Sequence, residues 1–153
     1  MRLVRIGSAD FPVWDGAGAA RFGGRWNRAG SPVIYAAGSL ALAMLERLVQ
    51  RGVIGGAMVV MAEVPEDVAV TDLLGAPPPG WMALGSPEAV AAGAAWLRAG
   101  ATALLRVPSA LLPSEPNYAI NPAHPDAARI AIGEPVPLVW DPRLFGVPPP
   151  PGQ

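Results

Sequence analysis

The sequence GGRWNRAGSPVIYAA, residues 23–37, joins a glycine-rich turn to a short apolar strand. Gly23 and Gly24 allow the backbone positive φ angles or a close approach to another group. Arg25 follows them directly, in a chain in which only 15% of the residues are charged. A turn arginine is usually solvated or paired with a nearby carboxylate such as Asp15. The alternative is that the open turn lets the guanidinium group bind phosphate oxygens with two parallel donors.

The segment after this strand is the clearest helix of the sequence. Ser39 is a suitable N-cap for a helix over residues 39–51, Gly52 is a suitable C-terminal stop, and leucines recur at helical spacing. On this helix Glu46 falls at the flank of the apolar stripe rather than on the opposite, solvent-facing side. From the helix alone, the simpler interpretation is a boundary glutamate that reaches water.

Short elements over the rest of the chain predict an α+β fold. A second helix, over residues 86–98, begins with a serine cap and a proline and is followed by Gly100. The alternation of strand and helix stops after residue 52, which argues against a doubly wound fold. We expect one compact domain over residues 1–145 and a disordered, proline-rich tail over residues 146–153. Strands are predicted over residues 3–6, 33–35, 57–64, 68–71, 103–107 and 130–132.

The composition excludes several classes of function. A chain of 153 residues, of which 52% are hydrophobic, is long enough to bury a core. A net charge of −1 and the lack of a basic helix argue against direct nucleic-acid binding by this chain. The chain has no cysteine, which removes disulfides, thiolate nucleophiles and zinc–cysteine sites, and it has no apolar run of the roughly 18 residues that a membrane span needs. We therefore expect a cytoplasmic protein without a metal site or a membrane segment.

The segment RVPSALLPSEPNYAINPAHPD, residues 106–126, carries many polar side chains between prolines. Prolines stiffen a loop, and stiff polar loops are useful at binding sites, so Ser109 and its neighbours are candidates. The simpler interpretation is a surface loop with Asn-Pro and His-Pro turns. His124 is the single histidine of the chain and could act as a general base, but one histidine without a cysteine or an acidic cluster is weak evidence for a metal site or a catalytic triad.

Taken together, four segments resemble the RES domain family, in the family's order and from Arg5 to about Phe145. The family is named for an arginine, a glutamate and a serine, which fall here on Arg25, Glu46 and Ser109. The segments are GAGAARFGGRWNRAGSPVIYAAGSLALAMLERLV (16–49), the pair Gly80–Trp81, VPSALLPSEPNYAINPAHPD (107–126) and DPRLF (141–145).

The resemblance implies a fold similar to that of ADP-ribosyltransferase toxins, with a cleft between short strands that holds NAD. It implies the toxin of a bacterial type II toxin–antitoxin pair, neutralised by a helical antitoxin with an Xre-like DNA-binding region, and it is compatible with a homodimer within such a complex. Members deplete NAD by breaking the bond between nicotinamide and ribose, with water or phosphate as acceptor. NAD would then be a substrate, and no resident cofactor is expected. Gln50 departs from the pattern, because many members carry histidine there.

The same resemblance implies three catalytic residues. Glu46 would stabilise the positive charge that develops on the ribose. Arg25 would clamp the diphosphate, and Ser109 would hydrogen-bond the carboxamide or a ribose hydroxyl.

The family's pocket tyrosine falls on Tyr35, which would stack on a ring of NAD. We count Trp26 and Asn27 among the NAD-binding residues too, and we expect Trp26 to pack beneath the turn and Asn27 to brace its backbone. Two alternatives stay open: an ADP-ribosyltransferase that modifies a protein or nucleotide target, and a catalytically silent module that only binds an antitoxin.

Overall fold

The structure, a computed structural model, describes residues 1–50 and 56–145. The predictions for Gly52 and for the tail after residue 145 lie outside these ranges. The strands are β1 Arg2–Ser8, β2 Ile34–Ala37, β3 Ala57–Glu63, β4 Val70–Asp72, β5 Leu104–Pro108, β6 Pro116–Ile120, β7 Ala131–Ile132 and β8 Val136–Pro137. The helices are α1 Ala17–Phe22, α2 Leu40–Val49 and α3 Pro87–Ala99, and short 3₁₀ helices cover Pro125–Arg129 and Pro142–Phe145.

The eight strands of the described residues belong to one mixed sheet, in the order β4-β5-β6-β2-β1-β3-β7, with β8 also paired to β3. Among these strand pairs only β4–β5 is parallel, and the other pairs are antiparallel. This is the predicted α+β class: short strands and few helices in a single domain. None of the helices in residues 1–50 and 56–145 is long and apolar enough to cross a bilayer.

Both faces of the central strands are buried, as the complete burial of the consecutive residues Leu104 and Leu105 shows. On one face, Leu104 packs in a cluster with Leu3 and Ile120. On the other face, Leu105 packs with Trp96 of α3 and with other residues that include Trp26 and Ala119. A third cluster joins α2 to the sheet through Leu42, Val4, Ala37 and Val59.

The predicted helix caps are present in the structure. The Ser39 hydroxyl accepts a hydrogen bond from the backbone N–H of Leu42 at 3.2 Å, and α2 extends to Val49. At α3, the Ser86 hydroxyl accepts from the N–H of Ala89 at 3.2 Å. Gly100 ends α3 with a φ of 57°, in the left-handed region that favours glycine.

The strand predicted over residues 103–107 is present as β5, but the prediction of a stiff loop after it was wrong in one part. Pro116–Ile120, within that loop, forms β6, which lies between β5 and β2 in the sheet. Pro116 stands at the first position of its strand, where a missing N–H is tolerated. The prolines and polar residues of this segment give no strand pattern. The strand is nevertheless interior to the sheet, because it pairs with β5 on one side and β2 on the other.

Candidate active site

The packing of α2 places Glu46 above β6. Ala37 of β2 packs against Leu42 of α2 and pairs across the sheet with Asn117 of β6. The amide nitrogen of Asn117 donates a hydrogen bond to Glu46 Oε1 at 2.6 Å. Glu46 is therefore half-buried and held by the sheet, rather than extended into water from the flank of its helix.

Ser109 lies at the same carboxylate, 63 residues away in sequence. Its hydroxyl donates to Glu46 Oε1 at 2.8 Å, and the side chain is completely buried. The hydroxyl oxygen accepts the backbone N–H groups of Leu111 and Leu112, at 3.1 and 3.2 Å. The structure thus brings two of the three family-naming residues into direct contact.

Arg25 is half-buried and contacts the loop that precedes α3. Its Nη1 lies 2.7 Å from the carbonyl oxygen of Trp81 and 2.9 Å from those of Met82 and Ala83. The pairing with Asp15 considered above is not the one observed. The guanidinium group instead fixes the loop around Gly80–Trp81, which joins the second of the family-like segments to the first.

The phenol hydroxyl of Tyr35 joins two residues of the Arg25 turn. It accepts the backbone N–H of Trp26 at 3.0 Å and donates to Asn27 Oδ1 at 2.7 Å. Burial raises the pKa of Tyr35 well above its usual value, while the N–H of Trp26 and the charge of Arg25 oppose the shift. The phenol of Tyr35 is therefore protonated at neutral pH, and its hydroxyl group holds the turn through these two hydrogen bonds.

Gly24 is the residue that makes this close approach possible. A Cβ atom at position 24 would lie 2.7 Å from Asn27 Oδ1 and 2.8 Å from the hydroxyl of Tyr35. The asparagine itself is almost fully buried, and its Nδ2 donates to the carbonyl oxygens of Ala19, Arg28 and Ser31 at 2.9–3.0 Å. Asn27 thus braces the backbone through its Nδ2, while its Oδ1 accepts the hydroxyl proton of Tyr35.

Trp26 packs beneath the turn, where it is almost completely buried. Its ring stacks on that of Trp81, with centroids 6.2 Å apart and an interplanar angle of 24°. Trp26 and Asn27 both support the Arg25 turn in this structure, and direct contact of either with NAD stays a prediction.

The Arg25 turn and the Glu46 cluster occupy adjoining positions on one face of the sheet. Tyr35 pairs with Ala119 and Ala37 pairs with Asn117, so these four side chains point to the same face. Tyr35 and Asn117 are diagonal neighbours on that face, and the Cα atoms of such a pair are typically about 7–8 Å apart. A ligand that reaches from the guanidinium of Arg25 to the carboxylate of Glu46 would cross this face.

Arg5 belongs to the site region although we did not predict it. Strands β1 and β2 pair only at Val4 and Ala37, so the neighbouring carbonyl of Tyr35 is left for Arg5, whose Nη1 donates to it at 2.6 Å. The pKa of Arg5 is lowered, mainly by burial. The negative charge of Asp15 raises this pKa, and the positive charge of Arg47 lowers it further. A lone arginine inside an apolar strand was the signal that could have revealed it.

Two other residues singled out in the sequence have local roles. The Nδ1 of His124 accepts the N–H of Asp126 at 3.1 Å and caps the 3₁₀ helix Pro125–Arg129. Gln50 is the exposed C-cap of α2. These local roles explain the positions of His124 and Gln50, and neither residue belongs to the Glu46 cluster.

The fold is that of a chain in a solved toxin–antitoxin complex. The crystal structure of the M. tuberculosis MbcT–MbcA toxin–antitoxin complex contains a chain that superposes with a TM-score of 0.68, over 95% of this chain and 86% of that one. The two sequences are 22% identical, so the likeness shows a shared fold. Residues 2–141 match the family model of the RES domain, and the chain belongs to the RES domain family.

Curated relatives cover most of the same length. A protein of Sphingobium sp. named "Prs ADP-ribosylating toxin" is 40% identical over 137 residues, which are 85% of each chain. "Toxin Res" of Pseudomonas putida is 40% identical over 138 residues, 85% of this chain and 91% of that one. "Toxin Res" of Yersinia enterocolitica is 32% identical over 137 residues, 86% of this chain and 90% of that one.

Proposed function

We propose that this chain is an NAD-degrading toxin that breaks the bond between nicotinamide and ribose, with water or phosphate as the acceptor. The observation that carries the proposal is the carboxylate of Glu46, held at Oε1 by two donors on a sheet face that it shares with the Arg25 turn. Membership of the RES domain family supports the proposal, because the family resemblance implied Glu46 as the residue that acts on the ribose.

The proposed reaction suits a carboxylate without a partner acid. Nicotinamide leaves as a neutral molecule, so the leaving group needs no proton. The energetic difficulty is the positive charge that develops on the ribose, and a preorganised negative oxygen lowers the cost of that charge. Within residues 1–50 and 56–145, the two hydrogen bonds to Glu46 both reach Oε1, so Oε2 is the oxygen that we assign to the ribose.

Arg25 is the proposed ligand of the NAD diphosphate. In the part of the chain that the structure describes, the hydrogen bonds of its guanidinium group all involve Nη1, so Nε and Nη2 are the donors that we assign to the phosphate oxygens. Tyr35, held against the turn by two hydrogen bonds, would offer its ring to the ligand from the neighbouring strand.

The biological setting of the proposal is a toxin–antitoxin pair in the bacterial cytoplasm. Two of the relatives described above are named Toxin Res, and the solved neighbour is a toxin–antitoxin complex. We infer that this chain arrests growth by lowering cellular NAD. We also infer that it is neutralised by an Xre-like antitoxin, in a complex that can contain two copies of the toxin.

The experiment is incubation of the purified chain with NAD, with and without phosphate, followed by quantification of nicotinamide and mass spectrometry of the sugar product. The wild type should release nicotinamide in at least one condition, and ADP-ribose or its phosphorylated form identifies the acceptor. The matched Glu46→Ala variant should release far less. Absence of nicotinamide release by the wild type in both conditions contradicts the proposal and leaves a transferase that needs another acceptor, or a silent antitoxin-binding module.

A second candidate is ADP-ribosylation of a protein or nucleotide, favoured by the Sphingobium relative named as an ADP-ribosylating toxin. It shares the first chemical step and differs only in the acceptor. Mass spectrometry of cell proteins and nucleotides after expression separates the two, because an enzyme that transfers ADP-ribose only to water or phosphate leaves no modified macromolecule.

A further inference from the structure

We infer that Asn117 is a positioning residue that, together with Ser109, fixes Glu46 through Oε1 and thereby aims Oε2 at the ribose. Asn117 Nδ2 and Ser109 Oγ lie 2.6 and 2.8 Å from the same carboxylate oxygen. The inference rests on the proposed function and adds to it a residue that the sequence did not assign to the site.

The hydrogen-bonding capacity of Ser109 is fully used within the chain. A hydroxyl group has one proton to donate and two lone pairs that accept. The proton goes to Glu46 Oε1, and the lone pairs receive the N–H groups of Leu111 and Leu112. Ser109 therefore acts on the carboxylate, and its hydroxyl has no proton left for the carboxamide or ribose that the sequence interpretation gave it.

Both donors belong to one rigid hairpin. Strands β5 and β6 pair residue by residue, with Val107 opposite Asn117. The backbone N–H of Ser109 continues the pairing by donating to the carbonyl of Glu115 at 3.0 Å. The hairpin, rather than the flexible glutamate side chain, thus determines the orientation of the carboxylate, which is the arrangement that a preorganised site requires.

The test compares Asn117→Asp with Asn121→Asp. Both exchange an amide for a carboxylate of the same size in one segment. At Asn117 the change removes the donor to Glu46, whereas at Asn121 the side-chain oxygen that accepts the N–H of Ala123 is retained. We expect Asn117→Asp to lower kcat for nicotinamide release about 100-fold, with KM changed less than about three-fold, because a misplaced reactive group affects the chemical step. Asn121→Asp should retain the wild-type kcat.

Asn117→Ala separates loss of the donor from the added negative charge. We expect it to lower kcat about ten-fold or more, again with little change in KM. Wild-type kcat in both Asn117 variants, or an equal loss in Asn121→Asp, overturns the inference while the proposed function stands. Failure of the wild type to release nicotinamide overturns the proposed function instead.

A measurement without NAD tests the contact itself. The melting temperatures of Asn117→Ala, Glu46→Ala and the double variant form a cycle that isolates the coupling between the two side chains. We expect the two losses to be non-additive by about 2 °C or more. Strict additivity would overturn the inference whatever the activity of the chain.

Discussion

Gly93 of α3 lies directly against the backbone of Trp26, so that a Cβ atom at position 93 would overlap the carbonyl oxygen of Trp26. The helix therefore supports the Arg25 turn through a backbone contact that only glycine permits. This contact connects the packing of α3 to the geometry of the candidate site.

Replacement of Gly93 by alanine should destabilise the protein. Alanine in a helix interior normally stabilises by about 0.5–1 kcal/mol, but here the overlap with Trp26 should reverse the sign and cost about 1–3 kcal/mol. Thermal unfolding measures the change, and NAD turnover should fall with it because the Arg25 turn is displaced. Gly18→Ala in α1 is the control, since a Cβ atom there meets no other atom. Equal stability of the two variants would contradict the described packing of α3.

The buried phenol of Tyr35 should make stability fall at alkaline pH. Its pKa is raised in the folded state, so the unfolded chain loses the phenol proton first, near the ordinary value of about 10. The contribution is fully present below that pH and is lost as pH rises towards the folded pKa. Denaturant unfolding between pH 8 and about 11 should show a shallower decline for Tyr35→Phe than for the wild type.

The other tyrosine provides the comparison for this measurement. The pKa of Tyr118 is also raised, mainly by burial and against the charge of Arg106. Because the shift of Tyr35 is the larger, Tyr118→Phe should flatten the decline less than Tyr35→Phe does. At neutral pH, Tyr35→Phe should lower the free energy of unfolding by about 1–3 kcal/mol, since the N–H of Trp26 is left without its acceptor. Identical alkaline profiles for wild type and Tyr35→Phe would contradict the assignment.

Removal of the Arg25 side chain should loosen the loop before α3. Its Nη1 contacts three consecutive carbonyl groups there, so Arg25→Ala leaves the loop without its anchor. Amide hydrogen exchange over residues 81–86 should accelerate about ten-fold, whereas Arg28→Ala, at an exposed arginine of the same turn, should leave it unchanged. Unaltered exchange in Arg25→Ala would show that these contacts do not hold the loop.

The parts of the fold that local patterns could predict are those with strong boundary signals. Ser39 and Ser86 begin their helices as capping rules require, and Gly100 ends α3 in the left-handed region. The six-residue helix α1 was missed because it is shorter than two turns and contains a glycine, so it has no usable periodicity. Strand β6 was missed because its burial depends on β5 and β2, not on its own composition.

The candidate site depends even more on tertiary structure. The contact between Glu46 and Ser109 joins residues 63 positions apart, and only the family resemblance suggested that they act together. The role of Asn117 follows from the register of β6 against β2 and β5, which no local pattern encodes. The two alternative roles of Arg25 could be stated from the sequence, but its hydrogen bond to the carbonyl oxygen of Trp81 required the structure.

The most direct test of the central claim is the rate of nicotinamide release from NAD by Glu46→Gln, measured beside the wild type. Glutamine keeps an oxygen for the donors of Ser109 and Asn117 but removes the negative charge, so the fold should persist while the charged ribose loses its stabilisation. We predict a fall in kcat of about 100-fold or more, with an unchanged melting temperature. Turnover by Glu46→Gln within about two-fold of the wild type would contradict the claim that the negative charge of this carboxylate promotes cleavage of the nicotinamide–ribose bond.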